Sequence, residues 1–216
     1  MSDARAAAEK ADEKSADRLT TLSDGIFAIA MTLLVLDLHV EPGLYKDEFI
    51  DAVRRALPDL GAYVLSFTIL AGFWRDHRLI VRLVPRFEGV ALRFALMWLG
   101  AIALVPFPTA LLSEYAARPL TVAVYAGMVA VTNLLELAMF LTGRRTEHAT
   151  EASRGDAGRA VTADLASTAA LFAATAPVAY LVSPVAAMWC WLALVPIKLT
   201  LTRRKRATGR RHGRAS

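Results

Sequence analysis

The sequence predicts an all-α protein that crosses a membrane six times, and three observations carry that prediction. The 216 residues are 56% hydrophobic, with a mean hydropathy of +0.41, above an ordinary soluble domain. The apolar residues gather into several separate runs approaching 20 residues, enough for a helix to cross ~30 Å of hydrocarbon. The charged residues collect between those runs. In a soluble chain a net charge of +5 and a pI near 9.7 would suggest nucleic acid. Flanking apolar spans, the same residues set topology instead, so membrane lipid is the expected neighbour and nucleic acid is not.

Taken in order, residues 1–17 mix Ala with acids and bases and form a lead-in, a frayed helix or a disordered segment, with nothing of a signal peptide about it. Span one covers about 19–39 and is broken by Glu41-Pro42-Gly43. In 44–56, Leu44, Phe49 and Val53 lead to Leu57 at helical spacing, an amphipathic approach to span two at 57–74. A basic cluster, Arg75 to Arg86, follows it. Span three, 90–112, contains Pro106 and Pro108 and should kink or break there. Span four, 120–141, carries Asn133 and Glu136, three residues apart on one face, where they can bond between helices or serve an ion relay. Residues 143–160 make one long polar loop. Spans five (161–182) and six (185–201) are joined by a turn at Ser183-Pro184, and Lys198 lies inside span six. The organisation is therefore a lead-in (1–17), a six-span domain (18–202) and a basic tail (203–216).

Both termini belong on the cytoplasmic side. That side then holds Arg5, Lys10, Lys14 and Arg18, five Arg between 75 and 93, four between 144 and 159, and seven basic residues beyond 202. The opposite side holds only Lys46, Arg54, Arg55 and Arg118. The single Cys190 excludes an intramolecular disulfide and sits in an apolar run, where packing is its ordinary role. His39, His77, His148 and His212 are scattered without metal-ligand spacing, so no metal and no cofactor is expected. There is no phosphate-cradling loop, nucleophile elbow or acid/base pair, and the chain is not read as an enzyme.

The chain is organised around its first span. The polar cluster Arg18, Ser23, Asp24 and Gly25 runs straight into an apolar stretch, Gly25 to Leu36, closed by Asp37 and His39, which form either a cation-attracting mouth or a solvated helix end. A carboxylate near the end of a membrane helix is costly unless paired, which makes Asp24 a functional candidate. Arg18-x-x-x-Leu22-Ser23-Asp24-Gly25 followed by IFAIAMTLLVLDL resembles the signature opening the first helix of the transmembrane protein 175 family of potassium channels, with Leu22 where the family usually has Phe. Phe73-Trp74-Arg75-Asp76-His77 is similar to that family's Trp-x-x-His element, and six spans agree with one family repeat.

The resemblance implies a bacterial single-repeat channel in the inner membrane. In it four subunits surround a central pore lined by span one, and potassium ions pass rings of apolar side chains. On a helical wheel Ile29, Leu33 and Leu36 share a face, with Thr32 beside them. The resemblance puts Ile29 at the constriction and Thr32 one turn deeper. Rings of that kind can gate by dewetting, and a hydroxyl ring can help strip a cation of water. Read without the resemblance, the same stripe is packing against neighbours or lipid. Asp24 lies about 140° around the helix from Ile29, so it turns into its own subunit. There Arg18, Ser23 and Asp24 can form a cross-helix network with Trp74 and His77, or sit solvated at the interface. Two other function classes remain. One is a proton- or cation-coupled secondary transporter using Asp24, His77, Glu136 or Lys198; the other is a non-conducting membrane scaffold.

Overall fold

In hydrocarbon a backbone has no water to bond, so each apolar run must satisfy its own N–H and C=O groups as a helix. The computed structural model describes residues 2–38, 42–43, 45–147, 149–184, 187 and 190–191; at 2–17, 37, 47 and 55 only the backbone is described. The described residues form seven α-helices and no strand: α1 (Ser2–Leu33), α2 (Lys46–Leu83), α3 (Gly89–Leu104), α4 (Pro106–Glu114), α5 (Pro119–Gly143), α6 (Glu151–Arg154) and α7 (Asp156–Leu181). Five stretches among them are long and apolar enough to cross a membrane, at Arg18–Leu36, Glu48–Leu83, Gly89–Glu114, Pro119–Gly143 and Asp156–Leu181. The chain is an all-α, multi-pass membrane protein. Of the expected span six only Ala187, Cys190 and Trp191 are described; Lys198 and the basic tail lie outside the described residues, as do His39, His148 and His212.

Several expected boundaries move. The lead-in and span one are one helix, which tightens into a 3₁₀ turn at Leu34–Asp37 before the chain breaks away. The amphipathic approach, span two and the basic cluster fuse into the 38 residues of α2, through Pro58. The charges at 75–82 had suggested an end, but long basic side chains on a helix terminus reach the interface without ending the helix. Span three breaks at Val105, with Pro106 opening α4, as a ring without an N–H favours at a first turn. The polar loop is mostly helical: it holds α6 and the first turn of α7. Thr150 closes it onto α2, its N–H and its hydroxyl both donating to the Leu83 carbonyl at 3.0 Å, one of the acceptors a helix C-terminus leaves open.

The long pair α5 and α7 packs side by side, α3 lies against α5 and α1, and α2 packs on α4. Toward the middle of the bundle Phe27, Trp98, Ile102, Tyr125 and Trp191 form one buried cluster, and near the end shared by Leu83 and Gly143 a second holds Ile80, Val84, Phe87, Met139 and Phe140. A polar clamp pins α2, α4 and α5 inside the first. Ser66 Oγ lies 2.9 Å from Tyr125 Oη, and the Thr109 hydroxyl lies 2.8 Å from Ser66 Oγ and 2.9 Å from the Val105 carbonyl. This hydroxyl chain holds α4 at the point where the helix before it has broken. At Gly143 a Cβ would meet Val84 Cγ1 at 2.9 Å, so the absent side chain lets α5 end against the α2–α3 link.

Candidate functional site

Span one presents two different faces. Ser23, Phe27, Ala30 and Leu34, at i, i+4, i+7 and i+11, are buried by the rest of the chain. On the other side Ile29 is 61% exposed, Leu33 41% and Leu36 70%, and Thr32 is exposed as well. The chain leaves uncovered the stripe that the wheel grouped. Leu36 is the exception in geometry: it lies in the 3₁₀ turn, whose three residues per turn rotate it away from a straight α-helical row. Thr32 Oγ1 lies 3.0 Å from the Ala28 carbonyl and 2.9 Å from that of Ile29. Its proton is spent on its own helix, and its oxygen lone pairs remain for an acceptor role on the exposed face.

Asp24 sits off that row and meets α2. Trp74 Nε1 donates to Asp24 Oδ1 at 2.9 Å, Arg78 Nη1 lies 3.9 Å from Asp24 Oδ2, and the Arg78 guanidinium stands 5.2 Å from the centre of the Trp74 ring. A hydrogen bond and an ion pair thus converge on one carboxylate at the edge of the span, and a cation–π contact joins the two side chains that make them. The site is half exposed, with side chains 46% accessible on both Arg78 and Asp24, so water screens the charges and the geometry matters more than the Coulomb energy.

Of the residues grouped from the sequence, the structure joins Asp24 and Trp74 directly. Ser23 is buried beside them, but its hydroxyl donates to the Leu19 carbonyl at 2.7 Å within α1. His77 is buried and stacks on Trp98 with ring centres 4.6 Å apart. Trp98 in turn meets Phe27 at 5.6 Å, so an aromatic row ties α2, α3 and α1 together. Both ring nitrogens of His77 lack a hydrogen-bond partner among the described residues; its contact is made by the ring face. Arg18 is exposed, and no described residue pairs with it. Arg78 takes the cationic place that the sequence reading had given to Arg18. The signal for it was present, because Trp74 and Arg78 are four apart and share a face once α2 is known to continue past residue 74.

The remaining candidates fall elsewhere. Asn133 is buried, but its amide donates to Val129 O at 2.9 Å in its own helix, not across to another. Glu136 is wholly buried in the second half of α5. Cys190 is exposed, contrary to the packing expected of it, because it lies one residue off the face that buries Trp191. The side chain of Asp37 is outside what is described. Among the described residues no group of three His, Cys, Asp or Glu could hold a metal ion.

These features have counterparts in known proteins. Residues 18–106, which contain the α1 face, the Asp24–Trp74 contact and the His77–Trp98 stack, match the family model described as "Endosomal/lysosomal potassium channel TMEM175". A potassium channel of Streptomyces collinus is 33% identical over 135 residues, 61% of this chain and 66% of that protein. Over these residues the chain is similar to the TMEM175 family. A potassium channel of Chamaesiphon minutus is 33% identical over 125 residues, covering 56% of this chain and 62% of the relative. The matched region thus spans a little under two thirds of the length of these relatives. The crystal structure of a potassium-selective TMEM175 homolog from Chamaesiphon minutus superposes with a TM-score of 0.75 at 24% identity, over 88% of this chain and 98% of that one. The TMEM175 fold therefore extends well beyond the matched residues, through α5 and α7.

Proposed function

We propose that this chain is a TMEM175 family member and a potassium-selective channel in which several copies, four by the family resemblance, surround a pore lined by α1. The observation that carries the proposal is the uncovered stripe Ile29, Thr32, Leu33 and Leu36, lying back to back with the buried stripe Ser23, Phe27, Ala30 and Leu34. An apolar helix face needs a neighbour or lipid, and about a fourfold axis this one gives stacked apolar rings with a hydroxyl ring between them. The relatives named as potassium channels support the permeant ion. Ile29 forms the constriction and Thr32 receives the partly dehydrated ion, while Asp24, held by Trp74 and Arg78, fixes the rotation of α1 so that these side chains meet the axis. Potassium is cargo here and no cofactor takes part. The protein works in a bacterial inner membrane with both termini cytoplasmic, a topology supported by the excess of Arg and Lys on that side.

A potassium flux assay on purified protein in liposomes tests this, with wild type beside Ile29→Asn and Thr32→Ala. Passive potassium flux that both substitutions alter in rate or selectivity is the expected result. Flux that saturates, requires a proton gradient and ignores both substitutions would replace the channel by a coupled transporter; no flux at all would leave a scaffold.

A further inference from the structure

On the side of α2 turned away from α1, the helix does not close against the α5–α7 pair. The gap is a half-open cavity of about 250 Å³, close to the ~300 Å³ lower end of ligand cavities. Thr68, Gly72, Arg75 and Asp76 line it from α2, Asn133 from α5 and Phe172 from α7. Its wall is mostly apolar and its charge is all at one end.

Depth orders these residues. With 1.5 Å of rise per residue, Asp76 lies ~10 Å from the Leu83 end of α2 and Thr68 ~22 Å from it. Phe172 lies ~24 Å from the start of α7 at Asp156. The ends at Leu83, Gly143 and Asp156 all flank the Arg-rich segments on the cytoplasmic side, so the charged end of the cavity is its cytoplasmic end and the apolar part runs toward mid-membrane. An inner-leaflet lipid, with its headgroup outermost and its chain pointing inward, has the same order. Arg75 Nε and Nη2 both donate to Asp76 Oδ1, at 2.9 and 2.8 Å. That fixes the guanidinium plane and leaves its other N–H groups for a phosphate oxygen. The Arg75–Asp76 pair is neutral as a whole, as are Arg78 with Asp24 and Arg86 with Glu88, so long-range attraction comes from Arg82 beyond it.

We infer that the cavity between α2, α5 and α7 holds one acyl chain of an anionic inner-leaflet phospholipid, whose phosphate is bound by Arg75. The turn that would carry this lipid also carries Trp74, which grips Asp24 of α1 from its other side. A bound lipid therefore buttresses the helix that positions span one. The inference requires the chain to lie in a membrane but not to conduct.

Native mass spectrometry of the detergent-purified full chain tests it, with equimolar phosphatidylglycerol and phosphatidylcholine of identical chains as the probes. Gly72 offers the cleanest perturbation, since a Cβ there meets nothing within 4 Å. Wild type and Gly72→Ala should retain phosphatidylglycerol in preference, and Gly72→Trp should lose bound lipid of both kinds. Arg75→Ala should lower the retention of phosphatidylglycerol about tenfold, as expected for one charge-assisted hydrogen bond to its phosphate. Lipid held by the basic tail is common to all variants, so their differences read the cavity. Equal binding of the two lipids by wild type, or full retention by Gly72→Trp, would overturn the inference. So would a Gly72→Trp protein with wild-type lipid but altered oligomeric mass, which would place a second copy in the cavity. Arg75→Ala, which only removes atoms, carries the test if bulk at residue 72 prevents folding.

Discussion

Leu34 and Leu36 are two residues apart on span one, one 1% and the other 70% exposed, and truncating each to Ala separates packing from permeation. In a water-soluble core a buried Leu→Ala change costs about 2.7–5.0 kcal/mol. Roughly 2.4 kcal/mol of that is transfer of three carbons away from water at ~0.8 each, a contribution that fades when the reference state is lipid, since tails are as apolar as Leu. What survives is the cavity left in the buried cluster where the Leu34–Asp37 turn meets α2 and α4, and Leu34→Ala should therefore cost on the order of 0.5–2.5 kcal/mol. At roughly 2–4 °C per kcal/mol for a chain of this size, its melting temperature in detergent should fall by about 1–10 °C. Leu36→Ala leaves no such void within the chain and should move the midpoint by about 1 °C or less, while widening one ring of the proposed pore and raising potassium flux in liposomes. Equal loss of thermal stability in the two variants with unchanged flux would refute the two-faced reading of α1, because both side chains would then be packing.

Three further outcomes follow from the contacts. Trp74→Phe removes the hydrogen bond to Asp24 and should lower thermal stability by about 1 kcal/mol while changing flux, whereas Asp24→Asn keeps an acceptor for Trp74 and should affect stability less; identical behaviour of the two in thermal melts and flux would argue against the contact. A double-mutant cycle on Ser66→Ala and Tyr125→Phe should yield a coupling near 0.6 kcal/mol, the usual scale inside membranes, and a coupling of zero would mean the hydroxyl chain contributes nothing. Gly158→Ala would drive a Cβ into the backbone carbonyl of Ser153, so it should destabilise the α6–α7 junction by about 1–3 kcal/mol; a melting temperature equal to wild type would show that this junction relaxes freely.

Hydropathy alone determined that this chain is helical and repeatedly crosses a membrane, because a backbone in hydrocarbon has few ways to satisfy itself. It also grouped Ile29, Thr32, Leu33 and Leu36, since residues three and four apart share a face whatever surrounds the helix. The proline pair marked the break at Val105 for an equally local reason, the missing N–H. Only the tertiary structure decided which face of span one is covered, as periodicity groups residues without saying what lies opposite them. It decided the partner of Asp24 too. Arg18 was nearer in sequence, but α2 runs on past the basic cluster and delivers Arg78 beside Trp74. The same continuation puts Arg75 on the far side of that helix, at the mouth of a cavity lined by α2, α5, α7 and Trp191, segments distant in sequence. A pattern within one helix is written in its spacing, whereas a contact between helices depends on where each one ends and how they stand against each other.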